Sequence, residues 1–205
     1  VAIIFTASVD TAHRLSVLLR LFNGQGVTDI LQGTDPIRDS ADDKRQREGL
    51  LFGGAVVEMS RNVAAEEREQ LLAAAERGLV AVIVATDNLA RGIDLPNLRL
   101  VINYDPPQQA RTYVHRVGRT ARAGESGAAV TMLKSGQVGA FRKIRAQVEG
   151  GAVAITPHMG SPERLPRCKP LKGTEEEVGS RFGKAMRSLA AALGLQAEAT
   201  VDIGE

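Results

Sequence analysis

The chain has 205 residues, with 43% hydrophobic and 24% charged side chains and a net charge of +2, values ordinary for a soluble globular protein. Aromatic residues make up only 3% and Trp is absent, so a core must be built from aliphatic side chains. The single Cys excludes an internal disulfide, and no stretch approaches the roughly 18 consecutive apolar residues of a membrane span. The mild charge leaves nucleic-acid binding to be decided by where the basic residues lie.

Apolar runs and helical spacing predict an alternating α/β chain. Five runs rich in Val and Ile predict strands buried on both faces of a parallel sheet. They are residues 1–5, Ala55–Met59, 80–85, Leu100–Asn103 and 128–133. Three- and four-residue apolar spacing predicts a helix after Ser8, a candidate N-cap, and two more helices are predicted over residues 64–77 and 107–117. Gly78 would cap the second, and two prolines would stand in the first turn of the third. The predicted fold is a doubly wound parallel sheet flanked by helices.

Two stretches depart from this plan. We interpret residues 23–54 as a partly disordered insertion, with an RNA-contacting loop as the alternative. Residues 160–173 read as a linker to a helix whose apolar stripe would dock on the domain itself, or else on a partner protein. The stripe consists of Val178, Phe182, Met186, Leu189 and Leu193. We therefore expect one domain over residues 1–155 and a linker with a C-terminal helical extension over residues 156–205.

Polar residues follow three of the predicted strands directly. They are residues 6–8, 86–94 and 104–107. In open α/β sheets ligands bind beyond the carboxyl ends of the strands, so these clusters should gather on one rim. The sequence therefore predicts a functional site at that rim.

The densest polar cluster holds Arg116, Arg119 and Arg122 at three-residue spacing. Gly118 indicates that the third helix ends there, so that Arg119 and Arg122 would project from a turn and could converge on an anion. Arg suits this task because it is permanently charged and grips phosphate oxygens with a two-pronged fork. Taken alone, the cluster is equally compatible with a solvated basic surface paired with carboxylates.

Four segments together resemble the conserved motifs of DEAD-box ATP-dependent RNA helicases. Residues 115–122, His-Arg-Val-Gly-Arg-Thr-Ala-Arg, look like motif VI, residues 86–94 look like motif V, and residues 5–8 resemble motif IV. Arg68 resembles the Arg of an extra motif between IV and V. Each motif is weak by itself, but four in the family's order are specific. The resemblance implies the second, C-terminal RecA-like half of such a helicase.

The resemblance implies ATP as the cofactor. It makes Arg119 and Arg122 the catalytic arginine fingers, which would reach the γ-phosphate and stabilise charge that develops during hydrolysis. Gly92 and Asp94 would complete the nucleotide-binding set. Gly92 would let the backbone come close, and Asp94 would accept a hydrogen bond from the ribose or hold a finger, with a helix N-cap as the structural alternative for Asp94.

The resemblance also implies an RNA track that contacts the phosphate backbone. Hydroxyl, amide and Arg donors to phosphate give affinity and register without reading sequence. The implied RNA-binding residues are Thr6, Ala7, Ser8, Arg68, Thr86, Asp87 and Arg91. His115 and Arg116 would couple the ATP state to the RNA state at the seam between two lobes, and a packing histidine is the alternative for His115.

The sequence departs from the family pattern at one edge. Met59, Ser60 and Arg61 stand where the family usually has His-Gly, and the usual Gln before Arg68 is absent. These changes weaken the implied RNA contacts more than the implied ATP contacts. The chain is most similar to the subgroup tied to assembly of the large ribosomal subunit. That similarity implies pre-ribosomal particles as partners and a nuclear, nucleolar location, with the cytoplasm as the alternative.

The phosphate clamp of a complete helicase is not in this sequence. No Gly-x-x-x-x-Gly-Lys-[Ser/Thr], Asp-Glu-Ala-Asp or Ser-Ala-Thr motif occurs, and the chain opens at Val1 within an apolar run. We therefore expect a half-site, in which an N-terminal RecA-like lobe of the same protein holds ATP and Mg²⁺. His13, His158 and Cys168 lack metal-ligand spacing, so no metal site is expected here, and the fragment alone should be inactive.

Two other function classes fit the pattern less well. A non-catalytic RNA-binding or ribosome-assembly scaffold that keeps the helicase fold would be favoured by a preceding lobe without its phosphate-binding Lys. A DNA-directed superfamily 2 motor would be favoured by equal stimulation of ATP turnover by matched RNA and DNA strands.

Overall fold

The computed structural model describes residues 1–25, 50, 52–87, 95, 97–122, 124–149, 180 and 183–184. The strands are β1 Ala2–Thr6, β2 Ala55–Met59, β3 Val80–Thr86, β4 Leu100–Asn103 and β5 Ala128–Thr131. The helices bounded within these ranges are α1 Val9–Asn23, α2 Ala65–Glu76, α3 Ala110–Val117 and α4 Val138–Glu149, with a short 3-10 turn at Ser135–Gln137. Among the residues described, no helix combines the length and the apolar character needed to span a membrane.

The five strands form one sheet in the order β2-β3-β1-β4-β5, and every neighbouring pair is parallel. The predicted doubly wound parallel sheet is confirmed. At the carboxyl end of the central strand, Thr6 is in register with Thr86 on β3, and Phe5 is in register with Asn103 on β4. Because all strands run the same way, the residues that follow them meet at a single edge, which we call the carboxyl rim.

Alternating side chains of the strands build two cores, one on each face of the sheet. On one face, Ile3 and Phe5 pack with Leu71 and Ala74 of α2. On the other face, Ile4 packs with residues of α1. Both faces are apolar because helices cover both, which explains why the strands read as continuous Val and Ile runs in the sequence.

The ends of α3 correct one prediction and confirm another. The helix begins at Ala110, three residues later than predicted. Gln109 is extended, with φ −134° and ψ 145°, and Pro107 disfavours a helical residue before it, so the prolines precede the helix. The helix ends at Val117 with Gly118 as its cap, as predicted. Gly118 is not left-handed there, and a Cβ on it would lie 2.9 Å from the Val114 carbonyl oxygen.

Helix α4 is an element that the sequence analysis missed. Ile144 and Val148 are buried against Tyr113 of α3, and the rings of Tyr113 and Phe141 meet edge to face at 5.4 Å between centroids. Apolar residues at 138, 141, 144 and 148 carry the helical spacing that would have identified it. The expected boundary at residues 155 and 156 and the C-terminal stripe lie outside the described residues.

Most of the predicted 23–54 insertion also lies outside the described residues, but its two ends are described. Asn23, at the end of α1, has no exposed surface and donates from Nδ2 to the Gly54 carbonyl at 2.9 Å. Its Oδ1 accepts from the Phe52 N–H at 2.9 Å. Oε1 of Gln25 accepts from the Val56 N–H at 3.1 Å. The side-chain amides of Asn23 and Gln25 form a polar clamp that joins the end of α1 to residues 52–56 at the start of β2.

Candidate functional site

The predicted motif IV residues lie at the carboxyl rim, where the structure assigns each a local partner. Thr6 is fully buried and its hydroxyl donates to the Ser8 carbonyl at 3.1 Å. Ser8 is the N-cap of α1, as predicted, and its Oγ accepts from the Thr11 N–H at 3.0 Å. The Ala7 N–H donates to Oδ2 of Asp105 at 2.8 Å. The turn is therefore held in place from both β1 and β4.

Arg116 is the hub of this rim. Its side chain is 3% exposed, and its Nε and Nη2 donate to the two carboxylate oxygens of Asp87 at 2.5 and 2.8 Å. Nη1 donates to Oδ1 of Asn103 at 3.1 Å and to the Asp105 carbonyl at 2.7 Å. The guanidinium carbon lies 5.0 Å from the centroid of the Phe5 ring, a cation–π distance. One side chain thus ties α3 to the carboxyl ends of β1, β3 and β4.

A cleft of about 330 Å³ opens beside this hub. It is lined by Phe5, Asp87, Gln109, Arg111, Thr112, His115, Arg116 and Arg119. Asp87, the acidic residue of this lining, is already paired with Arg116, so the cleft carries an excess of positive charge from Arg111 and Arg119. Such a lining favours an anion.

The two predicted fingers lie in the turn after α3. Nε of Arg119 donates to the His115 carbonyl at 3.1 Å, and Nε of Arg122 donates to the Gly118 carbonyl at 2.6 Å. Each side chain is thus oriented by the backbone carbonyl four residues before it. Arg119 faces the cleft, whereas Arg122 is exposed beyond it.

The remaining predicted site residues differ in their exposure and in their distance from the cleft, and some lie outside the described residues. Thr86 is buried next to Thr6 in register, and His115 is exposed on the cleft wall. Arg68 lies in the first turn of α2, where its Nε donates to the Ala64 carbonyl at 3.3 Å. Arg91, Gly92 and Asp94 lie outside the described residues. Within the described part of the chain, no group of three His, Cys, Asp or Glu side chains is placed to hold a metal ion.

Several residues of the rim were not singled out by the sequence analysis. They are Asn103, Gln109, Arg111 and Thr112. Asn103 carried a usable signal, because a fully buried polar residue at the end of an apolar strand needs a partner. Arg111 and Thr112 carried no such signal, since exposed helical positions are polar in most proteins.

Comparison with known proteins decides the family. The family described as the helicase conserved C-terminal domain matches residues 2–124. The chain belongs to this family. The match spans β1 to β4 and ends before β5, and it includes α3, Arg116, Arg119 and Arg122.

The relatives of this helicase domain are DEAD-box proteins, which confirms the resemblance seen in the sequence. DEAD-box ATP-dependent RNA helicase 1 of Oryza sativa subsp. japonica is 35% identical over 191 residues, which cover 91% of this chain and 31% of that protein. ATP-dependent RNA helicase DDX51 of Danio rerio is 34% identical over 186 residues, covering 91% and 23%. The chain therefore spans about a third or less of the length of these relatives.

A solved structure supports the same assignment. The E. coli DEAD-box protein SrmB, crystallised with regulator of ribonuclease activity A, is similar with a TM-score of 0.50 and 27% identity. The similarity covers 71% of this chain and 68% of that chain. The RecA-like fold predicted from the motifs is therefore confirmed.

Proposed function

We propose that this chain is the second lobe of an ATP-dependent RNA helicase. In this proposal Arg119 and Arg122 are arginine fingers for ATP that a first lobe holds, and the carboxyl rim supplies part of an RNA backbone track. The observation that carries the proposal is the basic cleft beside α3, with Arg119 in its wall and a buried Arg116 fixing the helix beneath it.

The cleft suits the phosphates of a nucleotide because of its charge and its rigidity. Arg116 neutralises Asp87, and Arg111 and Arg119 add positive charge to the lining of the cleft. Donors that are already oriented cost little reorganisation when charge develops on a transferring phosphoryl group. ATP would supply that phosphoryl group, and Arg119 and Arg122 would stabilise its charge; Gly92 and Asp94 remain proposed nucleotide contacts.

Mg²⁺ is proposed to belong to the first lobe. The carboxylate nearest the cleft, Asp87, accepts two hydrogen bonds from Arg116, which leaves it poorly placed to ligate a cation. The proposed site is therefore completed only when the two lobes close.

The proposed RNA track uses the rim on the side of β1, β3 and α2. Thr6 and Thr86 are buried, so their contribution is to shape the backbone rather than to offer side-chain hydroxyls. Ser8 and Arg68 remain the accessible polar groups of this set, and Arg91 is retained as a proposed contact. Asp87 repels phosphate by its charge, and its pairing with Arg116 supports a positioning role instead.

We propose different parts of the coupling between the two lobes for His115 and Arg116. His115 is exposed on the cleft wall and is available to a first lobe. Arg116 makes its hydrogen bonds within this domain, and one of its acceptors, Asp105, also accepts from the Ala7 N–H, so Arg116 would transmit a shift of α3 to the RNA side. Pre-ribosomal particles and a nucleolar location stay part of the proposal, supported by the sequence similarity alone.

The decisive experiment measures RNA-stimulated ATP turnover of the full-length protein. Arg119→Ala and Arg122→Ala should each lower kcat by about a thousandfold, since an arginine finger contributes roughly 10³ to 10⁵ in rate. Arg14→Ala is the matched control, because Arg14 is an exposed Arg of α1 that pairs with Asp10 away from the cleft. It should turn over ATP normally.

The same assay tests the competing interpretations. Near-normal turnover in both finger variants would overturn the finger assignment. An unmodified protein that binds RNA but hydrolyses no ATP would favour the non-catalytic scaffold. Equal stimulation by matched RNA and DNA strands would count against an RNA-directed enzyme.

A further inference from the structure

The turn that carries the two fingers is fixed by a residue between them. Thr120 is 6% exposed, and its hydroxyl donates to the Leu98 carbonyl at 2.7 Å. Leu98 itself is buried in the core just before β4. The hydroxyl therefore fastens the middle of the turn to the body of the sheet, and Arg119 and Arg122 extend from either side of that point.

Gly127 packs closely against the same turn. An ideal Cβ on Gly127 would lie 2.1 Å from Oγ1 of Thr120 and 2.7 Å from the Ala121 nitrogen. Real Cβ atoms essentially never approach another atom within 3.0 Å, so any larger residue would displace the turn or the strand. The strand cannot yield easily, because the next residue, Ala128, donates to the Arg99 carbonyl at 2.9 Å and begins β5.

The backbone between the fingers is also unusual. Ala121 has φ +55°, in the left-handed region that residues with a Cβ seldom occupy. Among the described residues it is the one non-glycine with positive φ. Such conformations persist when surrounding contacts impose them, and here Thr120 on one side and Gly127 across the turn supply those contacts.

We propose that Thr120 and Gly127 are positioning residues that fix the positions of Arg119 and Arg122. This inference rests on the proposed function and adds residues to the same site. Neither residue would touch ATP or RNA. Thr120 anchors the turn through its hydroxyl. Gly127 has no Cβ, so it allows residues 120 and 121 to lie close to the chain just before β5.

A displacement of the turn should affect rate more than binding. ATP and RNA are held largely by other groups, whereas the fingers act on charge that appears in the transition state. A Cβ at residue 127 would push the Thr120 hydroxyl, 2.1 Å away, off the Leu98 carbonyl and would press on the Ala121 backbone nitrogen at 2.7 Å, so the turn loses its anchor and shifts. A misplacement of about 1 Å can lower a rate by about a hundredfold.

The test uses the full-length protein and measures kcat and KM for ATP at saturating RNA. Gly127→Ala should lower kcat by about a hundredfold, and Thr120→Val, which keeps the shape but loses the hydroxyl, by about tenfold, with KM values within about twofold. Thr120→Ser keeps the hydroxyl and should restore kcat. Gly136→Ala is the control, because a Cβ on Gly136 meets nothing within 4 Å.

A double-variant experiment separates positioning from general damage. Thr120→Val should add no further loss to a protein that already lacks both fingers, since no finger remains to misplace. Thermal unfolding of each variant identifies any that fails to fold, in which case the milder Thr120 pair decides the matter.

The outcomes distinguish this inference from the proposed function. If Arg119→Ala and Arg122→Ala abolish turnover while Thr120→Val and Gly127→Ala keep normal kcat, the positioning inference is wrong and the finger assignment stands. If loss in Thr120→Val persists undiminished without the fingers, or if Thr120→Ser fails to rescue, positioning is likewise refuted. If the finger variants themselves are fully active, the proposed function fails first.

Discussion

Arg116 and Asp87 form a two-pronged ion pair that joins a helix to the end of a strand 29 residues earlier in the chain. The pair is asymmetric. The Arg116 side chain is 3% exposed, whereas the Asp87 side chain is 39% exposed. The arginine therefore depends on protein partners for its charge and its donors, while the carboxylate retains access to water.

This asymmetry predicts the effect of removing the carboxylate charge. Asp87→Asn should lower the free energy of unfolding by about 3 kcal/mol, because breaking a buried pair from one side leaves an uncompensated charge. The double variant Arg116→Met, Asp87→Asn should be less destabilised than Asp87→Asn alone. Urea denaturation of this chain measures both. Asp10→Asn, which removes an exposed partner of Arg14, should change stability by less than about 0.5 kcal/mol. Equal losses in Asp87→Asn and Asp10→Asn would contradict the prediction.

The polar clamp at the base of the insertion yields a second stability prediction. Asn23→Ala leaves the Phe52 N–H and the Gly54 carbonyl without their partner. Each buried polar group left unsatisfied costs about 1 to 3 kcal/mol, so a total loss of about 3 kcal/mol is expected. Asn62, which is exposed, provides the control substitution to Ala. A loss no greater than that of the control would show that water replaces the side chain.

Ser8 allows the capping role to be separated from the RNA role. Ser8→Ala should destabilise this chain by about 1 kcal/mol, since it removes the acceptor for the Thr11 N–H. Ser8→Asp should retain most of the stability, because Asp is also a good N-cap. In the full-length protein, however, Ser8→Asp should weaken RNA binding and alter its salt dependence, since it brings a negative charge to the phosphate track. Unchanged RNA affinity in Ser8→Asp would remove Ser8 from that track.

Tyr113 predicts a loss of stability at alkaline pH. Burial raises the pKa of Tyr113 above its ordinary value of 10.0, against a smaller opposing effect of Arg145. The folded chain then binds the phenolic proton more tightly than the unfolded chain. This contribution is complete below about pH 10 and disappears as pH rises through the higher folded pKa.

The measurement compares Tyr113→Phe with the unmodified chain by denaturant titration between about pH 8 and about pH 11. Phe preserves the edge-to-face contact with Phe141 and cannot ionise. Above pH 10 the unmodified chain should lose stability more steeply than the variant. Parallel curves would mean that the phenol reaches water.

The parallel sheet, and the gathering of polar residues at its carboxyl rim, were predictable because they follow from local pattern. Buried parallel strands need apolar residues on both faces, so their Val and Ile runs stand out, and Ser8 and Gly118 mark helix ends through local backbone chemistry. The start of α3 was misplaced because Pro is compatible both with a first turn and with the extended segment before it.

The internal organisation of the site was not predictable in the same way. Three arginines stand at equal spacing, and nothing local indicates that Arg116 turns inward while Arg119 and Arg122 remain at the surface. The distinction depends on Asp87 and Asn103, which reach Arg116 only after the sheet has formed. The contact of Gly127 with Thr120 likewise joins residues through the packing of β5.

The clamp formed by Asn23 and Gln25 has a consequence for how such domains diversify. Asn23 and Gln25 hold the end of α1 beside the start of β2, so the sheet does not constrain the number of residues between these two points. Closing a flexible loop of twice the length costs only about 0.6 kcal/mol more. A lineage could therefore lengthen or replace the segment between them almost without thermodynamic penalty, acquiring new recognition surfaces while the carboxyl rim stays unchanged.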